Sequence, residues 1–201
     1  LASGIYVNGT HTAKLEKKLK GYTGRSHAIA MVSCTDALYF SLILNGIGKG
    51  DEVIVSPFTF VASVAAVVRS GATPVFVDIT PGTCMMDLNC LDRSITSKTK
   101  AIVAVHLFGQ CLDIEALEKL AAKQGLVLIE DAAQAIYSGF NGRPAGSMGD
   151  ASCFSFDPSK IVGAFGTGGA LLTDDDKLAE QARAWINNGK IHGSFVMAGG
   201  N

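Results

Sequence analysis

The chain has 201 residues, 48% hydrophobic and 17% charged, which is enough apolar material for one thick core and too little charge for a disordered chain. Seventeen Lys and Arg stand against 18 Asp and Glu, and a net charge of −1 leaves no electrostatic footprint for nucleic acid or an anionic membrane. Cys34, Cys84, Cys90, Cys111 and Cys153 are odd in number and form no CxxC pair, which argues against a zinc site or disulfide framework and for a reducing compartment, the cytoplasm.

Strands and helices alternate along the chain. HAIAMV (27–32) reads as a short apolar strand, and the helical pattern TDALYFSLILNGIG that follows closes on Gly46 and Gly48. DEVIVS is a strand. The run VIVSPFTFVASVAAVV, the most membrane-like in the chain, is broken by Pro57 and stopped by Arg69, so it reads as strand, turn and helix. That helix, FTFVASVAAVVRSG, closes on Gly71. TPVFVDI is the next strand, followed by the short helix LNCLDRSI, strand KAIVAVHL, helix DIEALEKLAAKQG and strand LVLIED. Strands ASCFSF and GGALLTD precede a last helix, DKLAEQARAWINNG. Neither end reads as a natural terminus, and the expectation is a single domain over 1–201 cut from a longer polypeptide.

Strands apolar on both faces, alternating with helices, indicate a parallel sheet covered by helices, in which ligands bind beyond the carboxyl ends of the strands. Four strand ends carry chemistry. SCTDAL places Cys34, Thr35 and Asp36 on a turn into a helix, where free amides favour an anion, although Ser33 or Thr35 could simply cap the helix. EDAAQA places Asp131 after an apolar run with Gln134 one helical turn on, whereas Glu130 should still belong to the strand. Phe60, in SPFTF, is either core or a flat plate for a ring. The segment CFSFDPSKIVGAFGTGGALL looks built to be buried, yet Lys160 sits in its middle, five residues after Ser155. Such a lysine is a surface accident or a reactive amine. An anion site, a carboxylate, an aromatic and an amine at one sheet edge are the set that pyridoxal 5′-phosphate (PLP) needs. His106 and His192 read as hydrogen-bonded fixtures.

The runs SCTDALYFSLILNGIGKGDEVIVSPFTFVAS, GATPVFVDI, AIVAVHLFGQ, IEDAAQA, GSMGDASCFSFDPSK and FGTGGALLTDD, in that order, resemble the DegT/StrS family of PLP-dependent sugar-nucleotide aminotransferases. The resemblance implies an α/β fold: the three-layer large domain of the fold-type-I transferases, with a mostly parallel sheet flanked by helices and the small C-terminal domain absent from this chain. It implies Lys160 as the Schiff-base lysine and Asp131 as partner of the pyridine nitrogen, with Gln134 on the ring hydroxyl. Phe60 would stack on the ring, and Ser155 with Cys34, Thr35 and Asp36 would form the phosphate cup. Ile161 and Thr167 depart from the family pattern, at positions often held by Asn and by an acidic residue. The implied reaction is transfer of an amino group, from glutamate, to a keto-sugar nucleotide. The implied assembly is a homodimer whose sites are shared through a segment beginning near MAGGN. A PLP-dependent sugar dehydratase or a non-catalytic regulatory homologue are the alternatives, and the dehydratase branch would have histidine in place of Lys160.

Overall fold

The computed structural model describes residues 9–191 together with 194 and 195, so His192 and the MAGGN segment lie outside the described residues. In chain order the elements are α1 (Thr10–Thr23), β1 (His27–Met31), α2 (Cys34–Leu44), β2 (Glu52–Val55), α3 (Val61–Ser70), β3 (Thr73–Phe76), β4 (Ile79–Thr80), β5 (Met85–Met86) and α4 (Leu88–Ser94). They continue with β6 (Thr99–Val105), α5 (Ile114–Gln124), β7 (Val127–Asp131), β8 (Gly139–Phe140), β9 (Arg143–Pro144), β10 (Ala151–Ser155), β11 (Gly169–Thr173), α6 (Asp176–Ile186), β12 (Lys190–Ile191) and β13 (Ser194–Phe195).

Seven strands form one sheet in the order β1-β11-β10-β7-β6-β2-β3. Neighbours from β10 to β3 pair in parallel, and β11 alone runs against the rest, paired antiparallel to both β10 and β1. The central strands are buried apart from Lys100 near the start of β6 and the half-buried Val127 that opens β7, as their largely apolar sequences require. Helices α2, α3 and α6 cover one face, where Leu38, Leu42, Val67 and Leu178 join the main core with Val55 and Ile129. On the other face α1 contributes Leu19 to a smaller cluster with Phe154, Leu172 and Ala132, and α5 packs on β6 and β7. The layers are helix, sheet, helix.

Local chemistry sets the helix ends. Ser33 caps α2 by accepting the Asp36 amide at 3.0 Å, and Asp113 and Asp175 do the same for α5 and α6. Gly71 and Gly125 end α3 and α5 at φ 90° and 65°, left-handed angles that cost a side-chain-bearing residue and suit glycine.

Four features differ from the sequence reading. Helix α1 has no counterpart in the sequence reading: only Leu19 and Thr23 of its residues are buried, so its apolar stripe is too thin to read by period. The strand expected over 73–79 ends at Phe76, because Ile79 turns away to pair with Met86 in a separate hairpin. No helix follows β7; residues 132–137 form turns, so Gln134 reaches its place by turn geometry. The 153–172 segment is also only partly interior. Its strands are buried, but the loop between them leaves Ile161 and Phe165 in the open.

Candidate active site

The carboxyl ends of β1, β2, β6, β7 and β10 open into a cleft of about 200 Å³. Among the residues expected at the site, Cys34, Thr35, Phe60, Asp131, Gln134, Ser155 and Lys160 all line it. Asp36 does not. Its amide is taken by Ser33 Oγ, and its carboxylate turns outward to Arg69, 2.5 Å away, whose guanidinium also stacks 4.1 Å from the Tyr39 ring. The cup is therefore narrower than the sequence suggested, with the capping of α2 assigned to Ser33.

Lys160 hangs from the loop after β10, in a turn closed by its own amide on the Asp157 carbonyl at 2.8 Å. It is half-buried, has no ion pair among the described residues, and holds its Nζ 5.7 Å from the centre of the Phe60 ring. An ammonium that is neither paired nor fully solvated is available to a ligand. Phe60 itself is 63% exposed, a wall of the cleft and no part of the core.

Asp131 ends β7 and is 4% exposed. Burial pushes its carboxyl above the usual aspartate range, opposed first by a hydrogen bond from Ser63 Oγ to Oδ2 at 2.7 Å and then by the Ala133 amide on Oδ1 at 3.2 Å. Gln134 Oε1 accepts the Phe108 amide at 3.2 Å, leaving the side-chain NH₂ to donate. Thr35 has no hydrogen-bond partner for its hydroxyl among the described residues, and the amides of Cys34 and Thr35, in the first turn of α2, have no partner within the helix. Ser155 Oγ accepts the Asp157 amide at 3.3 Å and keeps its proton to donate. The Cys34 thiol is buried and burial pushes it well above its ordinary value, so at neutral pH it is an inert part of the floor.

A close approach of two elements shapes the cup. A Cβ on Gly169 would lie 2.3 Å from the Ser33 carbonyl carbon and 2.4 Å from the Cys34 nitrogen. The absence of a side chain there lets β11 run directly against the start of α2 and brings its amides to the cleft.

His106, expected as a fixture, is fully buried at the floor of the cleft. Its Nδ1 accepts the Leu112 amide at 3.2 Å, so the Nε2–H donates to Glu130 Oε1, 2.8 Å away. Thr59 and Ser63 were missed. They are hydroxyls four residues apart in an otherwise apolar run, Ser63 in the first turn of α3 and Thr59 just before its N-cap Phe60, and their oxygens lie 2.9 Å apart.

With this geometry in view, the comparisons with known proteins are direct. The family model of the DegT/DnrJ/EryC1/StrS aminotransferase family matches residues 1–197. A "pleiotropic regulatory protein" of Geobacillus stearothermophilus is 43% identical over 194 residues, 96% of this chain and 51% of the relative. The UDP-2-acetamido-2-deoxy-3-oxo-D-glucuronate aminotransferase of Pseudomonas aeruginosa is 40% identical over 94% of this chain and 53% of its own length. A crystal structure of a DegT/DnrJ/EryC1/StrS aminotransferase from Brucella abortus superposes with a TM-score of 0.93 at 38% identity, over 96% of this chain and 54% of that one. NtdA from Bacillus subtilis, solved with bound cofactor PMP, superposes with a TM-score of 0.83 at 36% identity, over 89% of this chain and 40% of that one. The chain spans about half the length of the curated relatives it matches.

The layered sheet is the large domain of a fold-type-I transferase. The chain belongs to the DegT/DnrJ/EryC1/StrS aminotransferase family.

Proposed function

We propose that the protein carrying this chain is a PLP-dependent aminotransferase that moves an amino group from glutamate to a keto-sugar nucleotide. The observation that carries this reading is that Lys160, an amine with no ion pair among the described residues, and Asp131, a buried carboxylate, share one cleft with the Phe60 ring. The donor set fits the cofactor. Lys160 suits the aldehyde, Asp131 the ring nitrogen, Gln134 NH₂ the ring hydroxyl and Phe60 the ring face. The Cys34 and Thr35 amides, with the Thr35 and Ser155 hydroxyls, suit the phosphate. Asp36 contributes by ending the cup at Ser33 and does not touch the ligand.

When bound, PLP supplies an electrophilic carbon and a ring that draws electrons from the substrate carbon. Lys160 Nζ would hold that carbon and, once displaced by the incoming amine, would take a proton from the substrate carbon and return it to the cofactor carbon. Asp131 would hold the ring nitrogen in its protonated state through an ionic hydrogen bond of about 1.5–3 kcal/mol. The helix-terminal amides add up to about 2 kcal/mol for the phosphate. A keto-sugar nucleotide acceptor is supported by the substrate in the name of the Pseudomonas relative.

The assembly is a homodimer with shared sites. No arginine lines the cleft among the described residues, although a phosphate dianion calls for cations, and Lys160 is committed elsewhere. The rim also exposes Phe58, Phe108, Ile161 and Phe165, apolar surface that a second subunit would cover. Location in the cytoplasm is supported by five free thiols.

Borohydride treatment of the full-length protein incubated with PLP is expected to fix the cofactor on the peptide containing Lys160, and a Lys160→Ala protein to lose transamination of glutamate. Fixation on another lysine would overturn the assignment. Subunit sharing is expected to show as activity recovered when Lys160→Ala is mixed with a full-length variant defective downstream of residue 196. A fully active monomer by light scattering would end that part of the reading.

A further inference from the structure

The Asp131 carboxylate receives two donors among the described residues: Ser63 Oγ on Oδ2 at 2.7 Å and the Ala133 amide on Oδ1 at the longer distance of 3.2 Å. Ser63 is 2% exposed, and its hydroxyl is within hydrogen-bonding distance of both Asp131 and Thr59. The hydroxyl has one proton, and a carboxylate can only accept, so that proton goes to Asp131. The contact of 2.9 Å between Thr59 Oγ1 and Ser63 Oγ then runs in one direction, with Thr59 donating. The result is a chain, Thr59 to Ser63 to Asp131, in which each bond polarises the next. Both hydroxyls line the cleft, and they stand on the turn that also presents Phe60.

We propose that Ser63, backed by Thr59, is a positioning residue that holds the Asp131 carboxylate by Oδ2 in the orientation it presents to the cleft. The inference rests on the reading of Asp131 as partner of the ring nitrogen. Without Ser63 the carboxylate keeps one long amide bond and is free to turn about its last torsion. The other groups facing Asp131 are the His106 ring beyond β6, the Lys160 ammonium from the β10 loop, and the thiols of Cys34 on α2 and Cys153 on β10. None of these gives it a hydrogen bond.

The test uses full-length protein, labelled with ¹³C-aspartate and freed of cofactor, with the Asp131 resonance identified by its loss in Asp131→Asn. In Ser63→Ala the Asp131 carboxyl is expected to titrate about one pH unit higher than in the unchanged protein, the equivalent of one charged hydrogen bond. Ser63→Cys, which keeps the side chain's bulk with a weak donor, is expected to fall between the two. In the holoenzyme Ser63→Ala is expected to lower kcat about tenfold with KM for glutamate within about twofold. In an Asp131→Asn background the same change is expected to alter kcat by less than about twofold. An unchanged titration, or an equal loss of kcat in both backgrounds, overturns the proposal. Failure of borohydride to fix PLP at Lys160 in the unchanged protein would instead overturn the functional reading, and the carboxyl titration would still test the Ser63 bond.

Discussion

Glu130 and Asp131 are consecutive carboxylates on one strand, both buried, and they face opposite ways. Glu130 points to the α1/α5 face, where it accepts the His106 Nε2–H at 2.8 Å, the Gly146 amide at 3.1 Å and the Met148 amide at 2.7 Å. Arg25, buried beside it, is saturated in turn by the Gly146, Met148 and Gly149 carbonyls and by Asp174. Asp131 points to the α2/α3 face and the cleft, with one hydroxyl and one long amide. Burial penalises both charges, but only Glu130 is fully compensated from within the protein. The difference separates a carboxylate that holds the 146–149 turn to the sheet from one that retains capacity for a ligand.

The largest effect that would sharpen this contrast is on Glu130. Glu130→Ala strands a ring N–H and two amides in the interior, and a loss of about 3–5 kcal/mol of unfolding free energy is expected in urea denaturation. A loss below 1 kcal/mol would break the contrast. Asp131→Asn is expected to act on rate instead. Turnover should fall about 10²–10³-fold while cofactor occupancy falls far less, because the charge acts on the reacting ring whereas phosphate and ring contacts hold the cofactor. Equal losses in the two would make Asp131 mainly a binding residue.

The same substitution is expected to change the stability of the cofactor-free protein by less than about 1 kcal/mol, since loss of a buried charge is offset by the need to turn the Ser63 hydroxyl: an amide keeps the Ala133 bond on its one oxygen and presents a donor to Ser63. The pH dependence has a fixed sign. Asp131 is raised by burial, so between the ordinary aspartate value and its own raised value the folded chain holds a proton that the unfolded chain has lost. Its contribution therefore falls as pH rises through that window and is constant above it. Thermal unfolding of the cofactor-free protein at stepped acid pH, compared with Asp131→Asn, isolates it; a contribution that rises with pH would contradict the burial argument. The smallest effect belongs to Asp36. Removing it breaks a partly exposed pair with Arg69 worth less than about 1 kcal/mol, and PLP affinity should stay within about threefold. A larger loss of affinity would return Asp36 to the cup.

The layered α/β architecture was legible because buried parallel strands and amphipathic helices carry different periods, visible in AIVAVHL and in IEALEKLAAKQ. The site residues were legible as types at strand ends, most clearly Lys160, whose charge has no local reason in an apolar loop. Helix α1 was not, since a helix that buries so little leaves almost no pattern. The Ser63–Asp131 bond was not either, because its partners are 68 residues apart and each alone is an ordinary core serine or strand-end aspartate.

By itself the sequence determined the alternation of elements, a capping hydroxyl at the start of α2, and the residue types available to a ligand, all of which depend on near neighbours in the chain. Tertiary structure alone decided that Asp131 faces the cleft while Glu130 is consumed by His106, and that Asp36 turns away to Arg69. It also decided that the bare face of Gly169 draws the start of α2 to the site. Those outcomes depend on which distant donors and acceptors the sheet order brings within 3 Å or so of a buried charge, and no local pattern encodes that order.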